Sequence, residues 1–181
     1  MSRRNVPIPP GQLLTGMRGE RDRRGYLVTH VVHREPDGTP VLKLVDIDKA
    51  DRCMAERRCQ TCGLAIEADE WLGFIGPVGS AEYKEAPIHL RCARYSFRMC
   101  PHLRSGTREE SIQIAVCRAY EYRPRSKSDV AAGRPPVCVP SAVTDEALVA
   151  EAAGLAPGTA RGDGVVVLSP ADLEGWVEAA A

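Results

Sequence analysis

The sequence predicts an α+β fold whose short strands and helices surround two linked cysteine motifs. The first motif is the Cys-x-x-Cys-Gly run Cys59–Gly63, and the second is His89–Cys92, in which two residues again separate the end members. Twenty-six residues lie between the two pairs. This spacing is typical of a zinc module, in which a cysteine turn and a helix start present four ligands to one ion. We therefore predict a small treble-clef-like zinc module, flanked by a β-hairpin and a helix and by a small C-terminal α/β appendage.

A β-hairpin and a helix are predicted ahead of the first motif. Tyr26–His33 and Val41–Val45 are rich in residues that favour strands, and an Asp-Gly pair between them is a hairpin-turn signal. Asp46 or Asp48 then has the side chain to cap a helix that runs to about Arg58. This helix delivers the chain to the cysteine turn.

A strand and a second helix are predicted between and through the ligand pairs. Trp71–Ile75 is a short apolar run typical of a strand. Pro87 suits a first helical position, so we predict a helix over Ile88–Met99. His89 and Cys92 are three residues apart and would share one face of that helix, where both reach the same ion.

Four residues are predicted to hold one structural Zn²⁺: Cys59, Cys62, His89 and Cys92. Cys100 lies on the same predicted helix, but a rise of ~1.5 Å per residue places it ~12 Å beyond Cys92 and ~16 Å beyond His89. Bonds of ~2.0 to 2.3 Å do not span that distance, unless the helix breaks early. Replacement of a ligand by Cys100 or His102, and an iron-sulfur cluster that uses Cys100, stay open as alternatives.

Beyond the second motif the pattern predicts one long strand, a loop and a separate tail. Ser111–Tyr122 alternates apolar and polar residues as a half-buried strand does, and Pro124–Pro136 has the composition of an exposed loop. The tail elements are a short helix started by Thr144 or Asp145, a strand over Val165–Leu168 and a capping box at Ser169–Asp172 that opens a last helix. The predicted units are a flexible basic arm (1–24), a zinc-centred core (25–123), a loop or linker (124–140) and an acidic α/β unit (141–181).

Composition indicates a globular protein in a reducing compartment. The chain has 181 residues, of which 44% are hydrophobic and 27% charged. No apolar run is long enough to cross a membrane, and the first residues lack the apolar stretch of a signal peptide. Seven cysteines, an odd number, favour reduced thiols with some on metal over a disulfide framework. We therefore expect a cytoplasmic protein without a membrane partner.

Charge is unevenly distributed, and one helix face is basic. Residues 1–125 carry 21 Lys and Arg against 16 Asp and Glu, while residues 126–181 carry 3 against 8. Within the predicted second helix, Arg91, Arg94 and Arg98 follow three-four spacing and form one stripe. The stripe suits contact with phosphate groups, and it equally suits the solvated face of an amphipathic helix.

An enzyme is the alternative from a different functional class. His33 and Glu35, followed by Cys59 and Cys62, match the two halves of the motif of zinc-dependent nucleobase deaminases, in which the Glu moves protons. That motif needs a helix, whereas Pro36 disfavours the helical conformation at the residue before it. The assignment also leaves the His89–Cys92 pair without a role.

Several short motifs together resemble a family of uncharacterised bacterial and phage proteins over residues 24–123. The matching runs are Arg24-Gly25-Tyr26, Arg57-Arg58-Cys59, Cys62-Gly63, Phe74-Ile75-Gly76-Pro77, Pro87-Ile88-His89, Cys92-Ala93 and Cys100-Pro101-His102-Leu103. Members of that family often have an aromatic residue between the first two cysteines and after Cys-Pro, where this chain has Gln60, Thr61 and His102. The resemblance implies a metal site and no particular activity.

These observations predict a zinc-stabilised binding or adaptor module rather than an enzyme. A site with four protein ligands is closed, which leaves no position for water or substrate on the ion. Nucleic acid is the first partner that the basic stripe indicates, and a protein partner is the alternative. A metal-dependent hydrolase or deaminase that uses Glu35 is the third hypothesis.

Overall fold

The computed structural model describes most of the chain between residues 20 and 141 and a short segment near its C-terminal end. The described residues are 20–23, 25–100, 103, 111–141, 165–170 and 172–173. The N-terminal part of the predicted basic arm, His102 and the predicted helix at Thr144 or Asp145 lie outside them.

The described part of the chain has three α-helices and eight β-strands. In chain order they are β1 (Val32–Arg34), β2 (Pro40–Val45), α1 (Ile47–Ala55), β3 (Leu72–Pro77), β4 (Ile88–His89), α2 (Leu90–Met99), β5 (Ile112–Cys117), β6 (Tyr120–Arg123), α3 (Lys127–Ala131), β7 (Val137–Pro140) and β8 (Val166–Leu168). All strand pairs are antiparallel. Mixed helices and antiparallel sheets agree with the predicted α+β class.

A four-stranded sheet in the order β4-β3-β5-β8 forms the centre of the molecule. β3 pairs with β5 along six residues, and β4 and β8 cover the two outer sides. β5 is buried along nearly its whole length, so both faces of the sheet are covered at this strand. Phe74 in β3 stacks on Tyr83 at 5.6 Å and meets the edge of Tyr120 at 5.1 Å between ring centroids, which links the sheet to the following hairpin.

The first hairpin is confirmed in type but is shorter than predicted. β1 contains only Val32–Arg34, and it pairs with β2 across a turn in which Gly38 has a φ of +87°. The backbone before β1 bonds elsewhere: the His30 and Val31 N–H groups donate to the carbonyls of Thr61 and Gln60 at 3.0 and 3.3 Å. The strand therefore begins later than predicted, at Val32, because the two residues before it bond to the cysteine turn.

Helix α1 begins where the sequence predicts and ends before Arg58. Asp46 is the N-cap, and its carboxylate accepts from the Lys49 N–H at 3.0 Å. The helix stops at Ala55, and Arg57 then has a φ of +52°, which reverses the chain toward the first cysteine motif.

The second helix begins two residues later than predicted. Ile88 and His89 form the short strand β4, in register with Gly73 and Leu72 of β3, and α2 starts at Leu90. His89 is the N-cap with a φ of −59° and a ψ of 143°, so it is not on the helix. The prediction of Pro87 as a first helical position is therefore wrong, because pairing with β3 keeps this segment extended.

The prediction of a single long strand over 111–122 is wrong, because the strand is interrupted at Arg118 and Ala119. β5 ends at Cys117 in the central sheet, and β6 starts a separate two-stranded sheet with β7. The predicted loop that follows contains α3, which Ser126 opens with a capping box to Asp129. That capping signal was missed because the surrounding Pro and Arg residues favour a loop.

The predicted tail strand and capping box are both present. β8 pairs with β5, and it therefore belongs to the central sheet. The Ser169 Oγ accepts from the Asp172 N–H at 3.2 Å, and the Asp172 carboxylate accepts from the Ser169 N–H at 3.1 Å.

Candidate metal centre

The first cysteine motif folds as a tight turn that aims both sulfurs to one side. Arg58 and Ala65 form an isolated β-bridge that closes the turn. Inside it the Cys59 N–H donates to the Leu64 carbonyl at 2.9 Å, and the Gly63 N–H donates to the Cys59 carbonyl at 2.8 Å. These bonds fix the backbone between the two cysteines, so the positions of their sulfurs are set by main-chain geometry.

Gly63 is required at this turn for two separate reasons. Its φ is +75°, a conformation that residues with a Cβ rarely adopt. In addition, a Cβ at this position would lie 2.6 Å from the Nδ1 atom of His30. The His30 imidazole therefore packs directly on the Gly63 backbone.

The second ligand pair is delivered by the junction of β4 and α2. His89 is the last residue of β4, and Cys92 lies in the first turn of α2. The Gln60 N–H donates to the Pro87 carbonyl at 2.9 Å, which joins the cysteine turn to the strand that carries His89. Main-chain bonds thus hold the two motifs together independently of the ligands.

The structure brings together the four residues that the sequence predicts as ligands, Cys59, Cys62, His89 and Cys92. Their ligand atoms all lie within 4.8 Å of one another. The His89 Nδ1 atom lies 3.4 Å from the Cys62 sulfur and 4.0 Å from the Cys92 sulfur. Cys62 is partly exposed and the other three are buried. This group, called the metal cluster below, is compatible with one bound metal ion.

A hydrogen bond on its far side orients the His89 ring. The Nε2 atom lies 3.1 Å from the Ala65 carbonyl oxygen and 3.8 Å from a carboxylate oxygen of Glu70. Because a carbonyl only accepts, Nε2 carries a proton, and Nδ1 is the ring nitrogen that faces the sulfurs and would bind a metal once deprotonated. Such an outer partner is what metal-binding histidines generally have.

The protonation of the metal cluster depends on contacts among its own members. Hydrogen bonds from Cys59 and Cys92 hold the pKa of the Cys62 thiol far below its ordinary value, although burial opposes them. Burial lowers the pKa of His89, but bonds to Cys59 and Cys62 outweigh it and raise this pKa to about 10. Bonds to the same two residues raise the pKa of Cys92. The surroundings therefore stabilise thiolate character at Cys62, and thiolate is the form that binds metal.

Arg57 is a site residue that sequence reasoning missed. Its guanidinium donates to the carbonyls of Ile66, Glu67 and Glu70 at 2.9, 3.0 and 3.1 Å, and to that of Arg118 at 2.8 Å. These carbonyls belong to the loop that follows Ala65 and to the turn between β5 and β6. Arg57 therefore fixes the loop that orients His89, and the φ of +52° at Arg57 is one mark of that constraint.

The arginine stripe lies on α2, which is anchored by its other side. Leu90, Ala93 and Phe97 are buried in the core. Arg91 and Arg98 are exposed and Arg94 is half-buried. Two of the three arginines of the stripe are therefore exposed residues, and the third is partly covered.

The structure does not assemble the alternative sites around the cysteine turn. His33 lies in β1 and Glu35 in the following turn, and neither is part of the metal cluster. Cys100 is the C-cap of α2 and is half-buried, and it too lies outside the cluster. Among the described residues, the deaminase-like arrangement and a cluster that uses Cys100 therefore have no geometric support.

No described helix has the length and apolar character needed to span a membrane.

Comparison with known proteins yields no relative. No protein family model, no curated protein and no solved structure matches the chain. The resemblance to a bacterial and phage family thus rests on its short motifs alone, and the convergence of four ligand-type atoms is what the structure adds.

Proposed function

We propose that the chain is a zinc-stabilised binding module whose ion is structural. The observation that carries this proposal is the convergence of three sulfurs and one imidazole nitrogen within 4.8 Å. Three thiolates and a histidine are a common ligand set for tetrahedral zinc, and soft sulfur ligands disfavour Mg²⁺ and Ca²⁺. With four protein ligands the ion has no open position, so a role in folding is favoured over one in catalysis.

The order of elements around the ion supports a treble-clef-like arrangement. A cysteine turn, the β3–β4 pair and the first turn of α2 follow one another in the chain and contribute the four ligands. In this arrangement the ion joins the start of α2 to the cysteine turn. Zinc would thereby fix the direction in which α2 presents its outer face.

We propose nucleic acid as the partner of that outer face. Helix α2 carries three arginines and no acidic residue, and Arg91 and Arg98 are exposed. Guanidinium groups bind phosphate in a bidentate manner, so a row of them on a fixed helix suits a nucleic-acid backbone. A cytoplasmic location is part of this proposal, because free thiols and zinc-bound thiolates persist in a reducing compartment.

The metal part of the proposal is tested by spectroscopy on the purified full chain. One Zn²⁺ per chain is expected by elemental analysis. Replacement of zinc by Co²⁺ should give the intense visible bands of a tetrahedral site with thiolate ligands. A metal-free protein that is fully folded, or an octahedral cobalt spectrum, would contradict the assignment.

The partner is tested by fluorescence anisotropy with labelled single-stranded RNA, single-stranded DNA and duplex DNA at several salt concentrations. Wild-type binding should weaken steeply with salt, and Arg91→Gln with Arg98→Gln should reduce the slope of log affinity against log salt by about two. The matched control is Lys84→Gln with Lys127→Gln, which removes the same charge from exposed positions elsewhere. Equal losses of nucleic-acid affinity in both double variants, or no binding by the wild type, would contradict the proposed nucleic-acid partner and favour a protein partner.

A further inference from the structure

Strand β2 has the longest unpaired edge in the described part of the chain. β1 and β2 form a two-stranded sheet, so each has one side without a partner strand. β2 has six residues, whereas the other outer strands have two to four. The free side of β7 is partly used, because Cys138 and Tyr83 exchange two backbone hydrogen bonds. The outer edge of β2 is therefore the largest set of main-chain donors and acceptors open to another chain.

A cleft lies beside this strand. It has a volume of about 630 Å³ and is lined by residues 20–23 and by residues 39–43. The pairing of β1 with β2 is irregular between Val41 and Val45, and the five consecutive residues 39–43 contribute backbone as well as side chains to the cleft. The cleft is thus shaped for a segment that lies along β2.

The cleft has a small excess of positive charge, since Arg21, Arg23 and Lys43 line it together with Glu20 and Asp22. Glu20 is paired with Arg34, and the Asp22 carboxylate accepts from the Tyr26 N–H at 2.9 Å. Arg23 and Lys43 are exposed, and neither side chain has an ion pair or hydrogen bond with the described residues. Acidic side chains in the cleft would therefore find two cations that no other described residue engages.

The same features argue against pairing of β2 with a second copy of itself. Pairing of two β2 edges would bring cationic Lys43 side chains toward each other, and like charges on neighbouring strands are destabilising. Leu44 and Val45, which are 52% and 48% exposed, continue the strand with apolar surface. The best occupant therefore alternates acidic residues, which would lie on the face of Lys43, with apolar residues, which would lie on the face of Leu44.

We propose that the β2 edge binds an extended acidic segment of a partner protein by strand addition. The partner's backbone would pair with β2, its carboxylates would meet Arg23 and Lys43, and its apolar side chains would cover Leu44 on the opposite face. This site is separate from the arginine stripe on α2, and it stands or falls independently of nucleic-acid binding.

The test uses a fluorescein-labelled ten-residue peptide of alternating Glu and Val with the zinc-loaded full chain. Saturable binding by anisotropy is expected, together with slowed hydrogen exchange of the amides in 40–45. Lys43→Glu should weaken binding by about tenfold or more, because it places a like charge against the peptide. Lys84→Glu, at an equally exposed position outside the cleft, should leave the affinity nearly unchanged.

Two further peptides separate strand addition from simple charge attraction. A version with N-methyl groups on its central amides keeps every charge but cannot pair as a strand, and it should not bind. A version with Lys in place of Glu should also not bind. Equal binding of the N-methylated peptide, absence of binding by the acidic peptide, or dimerisation through 40–45 would each overturn the proposal.

Discussion

Six of the seven cysteines form two sets of three whose surroundings give the sulfur opposite properties. Cys59, Cys62 and Cys92 converge with a histidine in the metal cluster. The other set, the three buried thiols, is fully inaccessible and has no such partner: Cys53, Cys117 and Cys138. Burial raises the pKa of Cys53 to about 11 and those of Cys117 and Cys138 to about 12. A thiol that lies beside other cysteines and a histidine is therefore a candidate metal ligand. Burial without such neighbours raises the pKa of a thiol and keeps it protonated and unreactive.

The largest expected difference between the two sets follows from removal of one sulfur. Cys62→Ser leaves three ligands, and since metal binding and folding are coupled in such modules, we expect loss of the metal and of protease resistance together. Cys117→Ala should keep one metal per chain and cost only about 1 kcal/mol of stability, because it removes one buried atom. Metal content after desalting and limited proteolysis measure both outcomes. A folded, metal-loaded Cys62→Ser protein would contradict the role of Cys62 as a ligand that the fold requires.

A smaller effect is expected when a residue that supports the metal cluster is changed without touching a ligand. Arg57→Gly keeps the φ of +52° accessible but removes the guanidinium that fixes the loop after Ala65. We expect metal affinity to fall by about 10- to 100-fold, as is usual for outer partners of metal ligands. Competition with a chromophoric chelator measures the affinity.

The adjacent arginine provides the control for that experiment. Arg58 is exposed, and its guanidinium bonds only to Glu56 and to the Gly63 carbonyl among the described residues. Arg58→Ala should therefore change metal affinity much less than Arg57→Gly. Equal losses would show that charge near the cysteine turn, rather than the anchored loop, sets the affinity.

The buried thiols should make the protein sensitive to alkaline pH. Their folded pKa values of about 12 at Cys117 and Cys138 lie above the ordinary value of 9.0, so stability is complete below about pH 9 and falls as pH rises toward 12. Each thiol contributes up to about 1.4 kcal/mol per pH unit in that window. Cys117→Ala should flatten the dependence of unfolding free energy on pH between 9 and 11. An unchanged slope would contradict the assigned burial effect.

The sequence predicted the ligands better than it predicted the elements that carry them. Short-range spacing identifies Cys59, Cys62, His89 and Cys92, because a Cys-x-x-Cys-Gly turn is determined locally. The placement of His89 on a helix was wrong because β4 exists only through pairing with β3, a contact between distant parts of the chain. The division of 111–122 into two strands likewise depends on partners in two different sheets. Tertiary pairing overrode local propensity in both cases.

Arg57 shows why a supporting residue is harder to find than a ligand. In the sequence it is one of two adjacent arginines, and nothing distinguishes it from Arg58. In the structure the Arg57 guanidinium bonds four carbonyls, whereas the guanidinium of the exposed Arg58 bonds one carbonyl and the Glu56 carboxylate. Its partner Arg118 is sixty-one positions away, so no local pattern records the contact. The role of the cysteine motifs can be recognised from their spacing in the sequence, whereas the role of Arg57 can be recognised only from its contacts in the folded chain.

The smallest effect that we expect concerns the contact between Gly63 and His30. Gly63→Ala introduces a Cβ at positive φ and also displaces the His30 ring, whereas Gly38→Ala, at a φ of +87° with open space around it, introduces only the backbone strain. Gly38→Ala should therefore cost about 1 kcal/mol, and Gly63→Ala should cost more. Equilibrium unfolding at saturating zinc measures each cost.

A double-mutant cycle then isolates the ring contact. In a His30→Ala background the Cβ at Gly63 meets no imidazole, so the cost of Gly63→Ala should fall to that of Gly38→Ala. The coupling free energy expected from the cycle is about 1 kcal/mol, within the range found for residues in contact. Zero coupling would mean that His30 moves away freely and does not shape the turn. A positive coupling would show that the segment before β1 helps to hold the cysteine turn from the side opposite the metal cluster.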